Sequence, residues 1–239
     1  MYHFFLSLHS SDNCVLLLSG DTRFSKLVLV AKRWAKENGI NNAFQKTLSS
    51  YTLTLMVIHF LQSCDPPVLP CLQVQDAANF APNGDYTLYT LTGCLANFKS
   101  DNTQTLGELF LFFLKYFSEE FDYERSAISV RLGRIVSKAV VRAYRSPKNN
   151  ATQWNFLAVE EPFDRTNAAS AVHDPLSFQK ILAVFRMSYK LLSNRCAFGF
   201  VSPLRKSPPS APNTPQVCTM FPVPQVWAPA AHPAADETN

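Results

Sequence analysis

The sequence predicts an α+β fold that is mainly helical and has a few short strands. Three segments place apolar residues at steps of three and four, which is the spacing of an amphipathic helix, and a fourth helical segment is apolar on nearly all sides. Two shorter apolar segments, residues 127–131 and 155–159, have the composition of strands. Of the 239 residues, 47% are hydrophobic, and this content excludes a disordered or fibrous polypeptide.

The first helix is predicted over residues 21–38. Asp21 is suited to cap its first turn, and Gly39 stands where a helix usually stops. Lys32 and Lys36 are four residues apart, so they share a stripe beside the buried face, and periodicity alone favours a solvated basic surface. The apolar face consists of Phe24, Leu27, Val28, Ala31, Trp34 and Ala35.

Three further helices are predicted. Residues 48–62 are apolar on nearly all sides, so this helix should be deeply buried, and the Asp-Pro-Pro sequence at 65–67 ends it because proline cannot continue a helix. Residues 105–118 carry a third apolar stripe. The last helix begins at residues 174–175, where an acidic cap precedes a proline in the first turn.

The remaining segments are predicted to be irregular. Residues 64–102 contain several prolines and an Asn-Gly pair, so they are expected to form a long connection. Residues 142–150 are polar and basic, and a solvated loop is favoured there over a contact with RNA phosphates. Nine of the sixteen prolines lie in residues 202–239, which are predicted to form a disordered tail.

The cysteines and the hydropathy pattern bear on the cellular compartment. The six cysteines include no Cys-x-x-Cys pair, so we expect reduced thiols in an intracellular protein. No apolar segment is long enough to span a bilayer, and the N-terminus lacks the basic region of a signal peptide. We therefore expect a cytoplasmic protein, with the nucleus as a second location, and no membrane partner. The net charge of +4 is spread along the chain and permits a nucleic-acid partner without indicating one.

Four stretches, taken in order, resemble one enzyme family. No glycine-rich phosphate loop, Gly-x-Ser-x-Gly or His-Glu-x-x-His sequence is present, so these common motifs identify no enzyme. The sequences K-x-W-A-K, L-S-S-Y, L-G-E-L and E-E-P-F-D, however, resemble the terminal RNA nucleotidyltransferases. This family comprises cytoplasmic poly(A) polymerases and terminal uridylyltransferases of the DNA polymerase β-like superfamily. The first two of these sequences lie in the stretch 27–60, the third in 102–131 and the fourth in 159–173. The remaining stretch is D-P-P-V-L-P-C-L-Q at residues 65–73.

The resemblance implies one part of a two-lobed enzyme. In this family a catalytic lobe carries a Gly-Ser motif and three aspartates that bind two Mg²⁺ or Mn²⁺ ions, and a helical central lobe completes the nucleotide cleft. An RNA 3′-hydroxyl attacks the α-phosphate of a nucleoside triphosphate between the two metals. Residues 21–201 are thus expected to be the central domain, with a PAP-associated region at about 102–165, and residues 1–20 a remnant joining the catalytic lobe.

The resemblance also implies contacts to the triphosphate and the base. Lys32 and Lys36 match lysines that bind the triphosphate, and two ammonium groups on one stripe suit a polyanion. Ser50 matches a serine that helps to hold the triphosphate. Tyr51 matches a tyrosine that stacks on the base, and the alternative for Tyr51 is a core aromatic residue.

Three further positions resemble the nucleotide contacts of the family. Asn13 resembles an asparagine near the ribose, although Cys14 replaces the threonine that follows it in the family. Glu161 and Asp164 match acidic positions that line the base pocket, and the alternative is a pair of exposed loop carboxylates.

The chain departs from the family pattern in two respects. Lys46 stands where the family usually has a glycine before the L-S-S-Y sequence, which leaves the geometry of this turn open. No Gly-Ser followed by Asp-x-Asp occurs, so no residue is expected to be catalytic or to bind a metal. The expectation is a fragment, or the product of an incomplete gene model, without polymerase activity by itself.

The expected function is a portion of a cytoplasmic poly(A) RNA polymerase. Such an enzyme adds AMP from ATP to RNA 3′ ends and commonly obtains its RNA target through an RNA-binding specificity protein. Uridylyltransferases of the family have a histidine just before the asparagine that matches Asn167, whereas this chain has Thr166 there and His173 further on. The alternatives are a terminal uridylyltransferase, a non-catalytic module that binds nucleotide or a partner, and a purely structural domain.

Overall fold

The computed structural model describes residues 21–75, 98–145 and 148–195. Within these ranges the protein has six α-helices and one three-stranded sheet of order β2-β1-β3. None of the helices in these ranges is both long and apolar enough to cross a membrane. The helices are α1 (Thr22–Glu37), α2 (Ser50–Ser63), α3 (Leu72–Gln75), α4 (Leu106–Lys115), α5 (Lys138–Arg142) and α6 (Pro175–Arg195), and the strands are β1 (Ser126–Ser129), β2 (Arg134–Ser137) and β3 (Val159–Glu160).

Helix α1 forms where its periodicity predicts. The Asp21 carboxylate accepts a 2.8 Å hydrogen bond from the Arg23 backbone N–H, and Gly39 adopts the left-handed φ of 65° that ends many helices. The half-buried Trp34 packs edge-on against Phe185 of α6, with ring centroids 4.8 Å apart. Its buried face consists of Phe24, Leu27, Ala31 and Ala35.

Helix α2 is the central element of the core. All residues from 52 to 61 are buried, because α2 packs against α1 on one side and against the sheet on the other. The Ser49 hydroxyl caps its first turn by accepting a 2.9 Å bond from the Thr52 N–H. The helix begins two residues later than predicted, and the Asp-Pro-Pro sequence at 65–67 follows its end with a cis bond between the first two residues.

Helices α4 and α6 pack together through aromatic side chains. A capping box between Thr105 and Glu108 begins α4. The helix continues beyond its predicted end as a π-helical turn to Glu120. The rings of Phe113 and Phe117 lie 5.8 and 5.7 Å from Phe185 on α6, so the predicted stripe is buried as expected.

The strands and the short helix after them differ from the sequence prediction. Strand β1 covers residues 126–129 rather than 127–131. Residues 155–158 are irregular rather than a strand, and β3 covers two residues only. The reason is that side chains take the carbonyl groups a strand would pair: Lys138 Nζ binds those of Asn155 and Phe156, and Asn167 binds that of Leu157. Strand β2 and helix α5 were not predicted, since both are short and largely exposed.

Short helical turns occur in or beside two segments that were predicted to be irregular. Residue 142 closes α5, and residues 151–154 form a 3₁₀ turn after the predicted basic loop. The predicted connection at 64–102 contains the short helix α3 in its described part. The remnant at 1–20, including Asn13, and the tail at 202–239 lie outside the described residues.

Candidate functional site

Tyr51 and Glu161 meet although they lie far apart in the sequence. The Tyr51 hydroxyl donates a 2.9 Å hydrogen bond to Glu161 Oε1, which joins the first turn of α2 to the loop after β3. The adjacent Thr52 hydroxyl donates a 2.6 Å bond to the carbonyl oxygen of Ala168, so a second contact ties α2 to the same loop. Tyr51 also packs against the main core, so it has the contacts of a core aromatic residue as well as a polar one.

The Glu161 carboxylate is partly buried and well hydrogen-bonded. Its Oε2 accepts bonds of 2.7 and 2.6 Å from the backbone N–H groups of Phe163 and Asp164. Burial raises the pKa of Glu161 above its usual range, while these two bonds and the Tyr51 hydroxyl act in the opposite direction. The arrangement holds the carboxylate in one orientation beside the Tyr51 ring.

Asp164 occupies the exposed edge of the same loop. Its carboxylate accepts bonds of 3.0 and 2.6 Å from the N–H and hydroxyl of Thr166, which fold the turn. Lys148 Nζ lies 3.9 Å from its other oxygen. The structure therefore brings Tyr51, Glu161 and Asp164 together in a short chain of direct bonds.

Asn167 holds this loop in place and was not among the predicted site residues. Its side-chain oxygen accepts bonds of 3.0 and 2.9 Å from the N–H groups of Val159 and Ala169. Its side-chain nitrogen donates bonds of 2.6 and 2.9 Å to the carbonyls of Gln153 and Leu157. All its side-chain hydrogen bonds are internal because the residue is 2% exposed, and its place three residues after the end of the E-E-P-F-D sequence is the signal that marks it.

A buried ion pair lies next to the loop, and no motif in the sequence predicted it. Arg131 donates bonds of 2.7 and 3.3 Å to Glu160 Oε1, and the Glu160 side chain has no exposed surface. Glu160 Oε2 is buried and has no hydrogen-bond partner among the described residues. Charged side chains are rarely fully buried unless they are paired. Glu160 is more deeply buried than its neighbour Glu161 because it has Arg131 as a partner.

The predicted triphosphate lysines stand on α1. Lys32 is half-buried and Lys36 is exposed, beside the buried face as the periodicity predicts. Neither lysine forms an ion pair with a carboxylate of the described residues. Both ammonium groups are thus unneutralised there, on a helix that packs against α2.

Ser50 lies in the first turn of α2. Its hydroxyl donates a 3.3 Å bond to the side-chain oxygen of Asn41, and Asn41 in turn donates a 3.0 Å bond to the carbonyl of Leu48. The backbone N–H groups at the start of a 14-residue helix carry partial positive charge, which favours an anionic ligand. Ser50 is exposed, so a phosphate can approach it.

The turn before α2 has the geometry of a glycine position. Lys46 adopts φ 58° and ψ 23°, which is the left-handed region that side chains with a Cβ seldom occupy. Lys46, which the resemblance aligns with a glycine, therefore adopts a left-handed turn at the cost of some backbone strain.

Comparison with known proteins adds an independent line of evidence. The family model described as Cid1 family poly A polymerase matches residues 105–167. The chain is 46% identical over 178 residues to the poly(A) RNA polymerase gld-2 homolog A of Drosophila melanogaster, a match that covers 73% of this chain and 13% of the relative. It is 41% identical over 198 residues to the poly(A) RNA polymerase GLD2 of Danio rerio, covering 80% of this chain and 38% of the relative.

Solved structures agree with these relatives. A structure of a GLD-2/RNP-8 complex superposes with a TM-score of 0.64 at 36% identity, covering 80% of this chain and 56% of that chain. This chain belongs to the terminal RNA nucleotidyltransferase family. The fold alone is shared with a mutant Cid1 poly(U) polymerase bound to MgATP, at 24% identity and a TM-score of 0.64, covering 81% of this chain and 58% of that one.

The helices and the small sheet of this structure, and its superposition on the GLD-2/RNP-8 structure, confirm the predicted mixed fold. The nucleotidyltransferase match at residues 105–167 contains the whole sheet and the loop that carries Glu161, so the described site lies partly in the region that defines the family. The chain spans 13% and 38% of the lengths of the two relatives named above. The contacts of Asn13 lie outside the described residues, and the nucleotide roles of the other six candidates remain predictions.

Proposed function

We propose that this chain is part of a poly(A) RNA polymerase that adds AMP from ATP to RNA 3′ ends. In this proposal Tyr51 stacks on the adenine, Glu161 and Asp164 line the base pocket, and Ser50, Lys32 and Lys36 contact the triphosphate. Both curated relatives named above are poly(A) RNA polymerases, which supports the assignment to adenylyl transfer.

The hydrogen bond between Tyr51 and Glu161 carries the proposal. It joins two motifs 110 residues apart and places an aromatic ring beside an oriented carboxylate. A ring of this kind offers a stacking face for a base, and Glu161 Oε1, which accepts the Tyr51 bond, keeps a second lone pair for a base N–H group. Ser50 precedes Tyr51 at the N-terminal, partly positive end of α2. In this proposal the phosphates bind at Ser50 while the base stacks on Tyr51.

The metal ions of the proposed reaction have no fitting site among the described residues. No group of three or more His, Cys, Asp and Glu side chains gathers there in a way that could hold a metal. Glu161 is occupied by Tyr51 and two backbone N–H groups, and Asp164 folds its own turn. We therefore derive no metal-dependent step from these residues, and we expect the carboxylates that bind Mg²⁺ or Mn²⁺ elsewhere in the complete enzyme.

Binding of ATP and of adenosine tests the proposal without requiring catalysis. Tyr51→Ala removes the stacking face and should weaken the binding of both ligands by roughly 5- to 150-fold, since stacking contributes about 1–3 kcal/mol per base. Lys32→Gln/Lys36→Gln should weaken ATP strongly and leave adenosine unchanged, because adenosine has no phosphates. The measurement is isothermal titration calorimetry on the chain of 239 residues.

The matched control is Lys26→Gln/Lys190→Gln. It removes the same charge from two exposed lysines, one on α1 and one on α6, and should leave both affinities within about twofold of the original. Equal losses of ATP and adenosine in the Lys32 and Lys36 variant, or equal losses of ATP in both double variants, would contradict the assigned roles.

Three finer features belong to the same proposal. ATP should bind more tightly than UTP, because no histidine stands next to Asn167; tighter binding of UTP would favour a uridylyltransferase instead. We propose that a separate RNA-binding protein supplies the RNA target, in keeping with the GLD-2/RNP-8 complex among the similar structures. We also propose a cytoplasmic location, with the nucleus as a second one, which imaging of the tagged protein can test.

A further inference from the structure

The stretch D-P-P-V-L-P-C-L-Q at residues 65–73 contributes no residue to the proposed nucleotide contacts, although it is part of the resemblance. Its last residues enter the short helix α3, which begins at Leu72. The Gln73 side-chain nitrogen donates a 3.4 Å hydrogen bond to the carbonyl oxygen of Pro162. Pro162 is buried and directly follows Glu161, so this stretch reaches the loop that carries the base-pocket carboxylates.

A second side chain holds the residue on the other flank of Glu161. Arg131 donates bonds of 2.7 and 3.3 Å to the carboxylate of Glu160, whose side chain has no exposed surface. Residues 160 and 162, one on each side of Glu161, are therefore each bound by a side chain from a different part of the chain. Fixing both neighbours restricts the backbone of Glu161, and hence the direction in which its carboxylate points.

The two supports are themselves connected through Cys71. The Cys71 thiol donates to the carbonyl oxygens of Val130 and Arg131, with distances from Sγ of 3.6 and 3.2 Å. In the turn after β1, Gly133 adopts a φ of 62°, and a Cβ at this glycine would lie 2.9 Å from the Cβ of Cys71. A side chain there would force the two segments apart. Cys71 lies two residues before Gln73, so the turn and α3 form one packed unit.

We propose that Gln73 is a positioning residue for the base pocket: through Pro162 it holds the Glu161 carboxylate where this group accepts a hydrogen bond from the 6-amino group of adenine. This inference rests on the proposed function, in which Glu161 lines the base pocket. The contribution of Gln73 passes through the backbone of the loop, because its bond is made to the carbonyl of the residue after Glu161. A carboxylate only accepts hydrogen bonds, so a loss of its orientation should affect ligands with an amino donor most.

The test compares adenosine with purine riboside, which is adenosine without the 6-amino group, by isothermal titration calorimetry on the chain of 239 residues. In the original protein, a hydrogen bond from this group to a carboxylate should make adenosine bind about tenfold more tightly than purine riboside. Gln73→Glu keeps the size of the side chain but removes the donor, so the two affinities should differ by about twofold or less.

A second variant and the choice of readout exclude a mere loss of folding. Gln73→Leu removes the donor without adding a charge and should lower the ratio of the two affinities to the same value as Gln73→Glu. Partial unfolding does not change this ratio, because both nucleosides bind the folded state and lose affinity by the same factor. The matched control is Gln75→Glu, which makes the same substitution at an exposed position of α3 and should keep the original ratio.

An unchanged ratio in both Gln73 variants, or an equal fall of the ratio in Gln75→Glu, would overturn the inference. Equal affinities for adenosine and purine riboside in the original protein would also overturn it, because Glu161 would then not contact the 6-amino group. Tyr51→Ala separates the two proposals. Unchanged nucleoside affinities in Tyr51→Ala would contradict the proposed function, whereas weaker binding in Tyr51→Ala with an unchanged ratio in the Gln73 variants would reject the role of Gln73 alone.

Discussion

Asn167 is the residue whose replacement tests the architecture of the site most directly. Asn167→Ala removes four hydrogen bonds, two accepted from backbone N–H groups and two donated to backbone carbonyls. The side chain is 2% exposed, so water reaches these groups only through the space that the amide leaves. An unsatisfied buried polar group costs about 1–3 kcal/mol. With partial repair by water, we expect a loss of about 3–5 kcal/mol in the free energy of unfolding.

Urea unfolding of the chain, followed by tryptophan fluorescence, measures this loss. The control is Ser170→Ala in the same turn, where the side chain is exposed and the change should remain within about 0.5 kcal/mol. A loss below about 1 kcal/mol for Asn167→Ala would refute the reasoning, because it would mean that the four bonds do not hold the loop. Since the same loop carries Glu161, the folded variant should also bind ATP more weakly.

Two further predictions concern stability. Lys46→Gly should stabilise the protein by about 1 kcal/mol, because glycine tolerates the φ of 58°. The control Gln45→Gly changes a neighbouring residue without a positive φ and should destabilise the protein. Equal effects of the two substitutions in urea unfolding would contradict this. Burial lowers the pKa of His59 from 6.5 to about 4, so the unfolded chain binds the proton more readily and stability should fall as the pH drops from about 6.5 toward 4. The full effect of this histidine is about 3 kcal/mol, and His59→Gln should show a flatter pH dependence; parallel curves would exclude His59 as the cause.

Local patterns in the sequence determined the long helices. Asp21 before an apolar stripe of period 3.6, and the Asp-Pro pair before the last stripe, specify α1 and α6 because capping and one-sided burial act within a few residues. The motif resemblance also pointed to Tyr51, Glu161 and Asp164, which the fold joins through direct hydrogen bonds.

Tertiary contacts decided the rest. Strand β2 and helix α5 have no periodic pattern that predicts them. Residues 155–158 do not form the predicted strand, because Lys138 and Asn167, which are distant in the sequence, donate hydrogen bonds to the carbonyls of residues 155–157. The hydrogen bond between Tyr51 and Glu161 joins residues that are 110 positions apart. Glu160 is buried although the nearby Asp164 is exposed, because Glu160 pairs with Arg131, which follows strand β1. Such pairings depend on which groups the folded chain brings together, so a local pattern identifies the residue types, and only packing determines their partners.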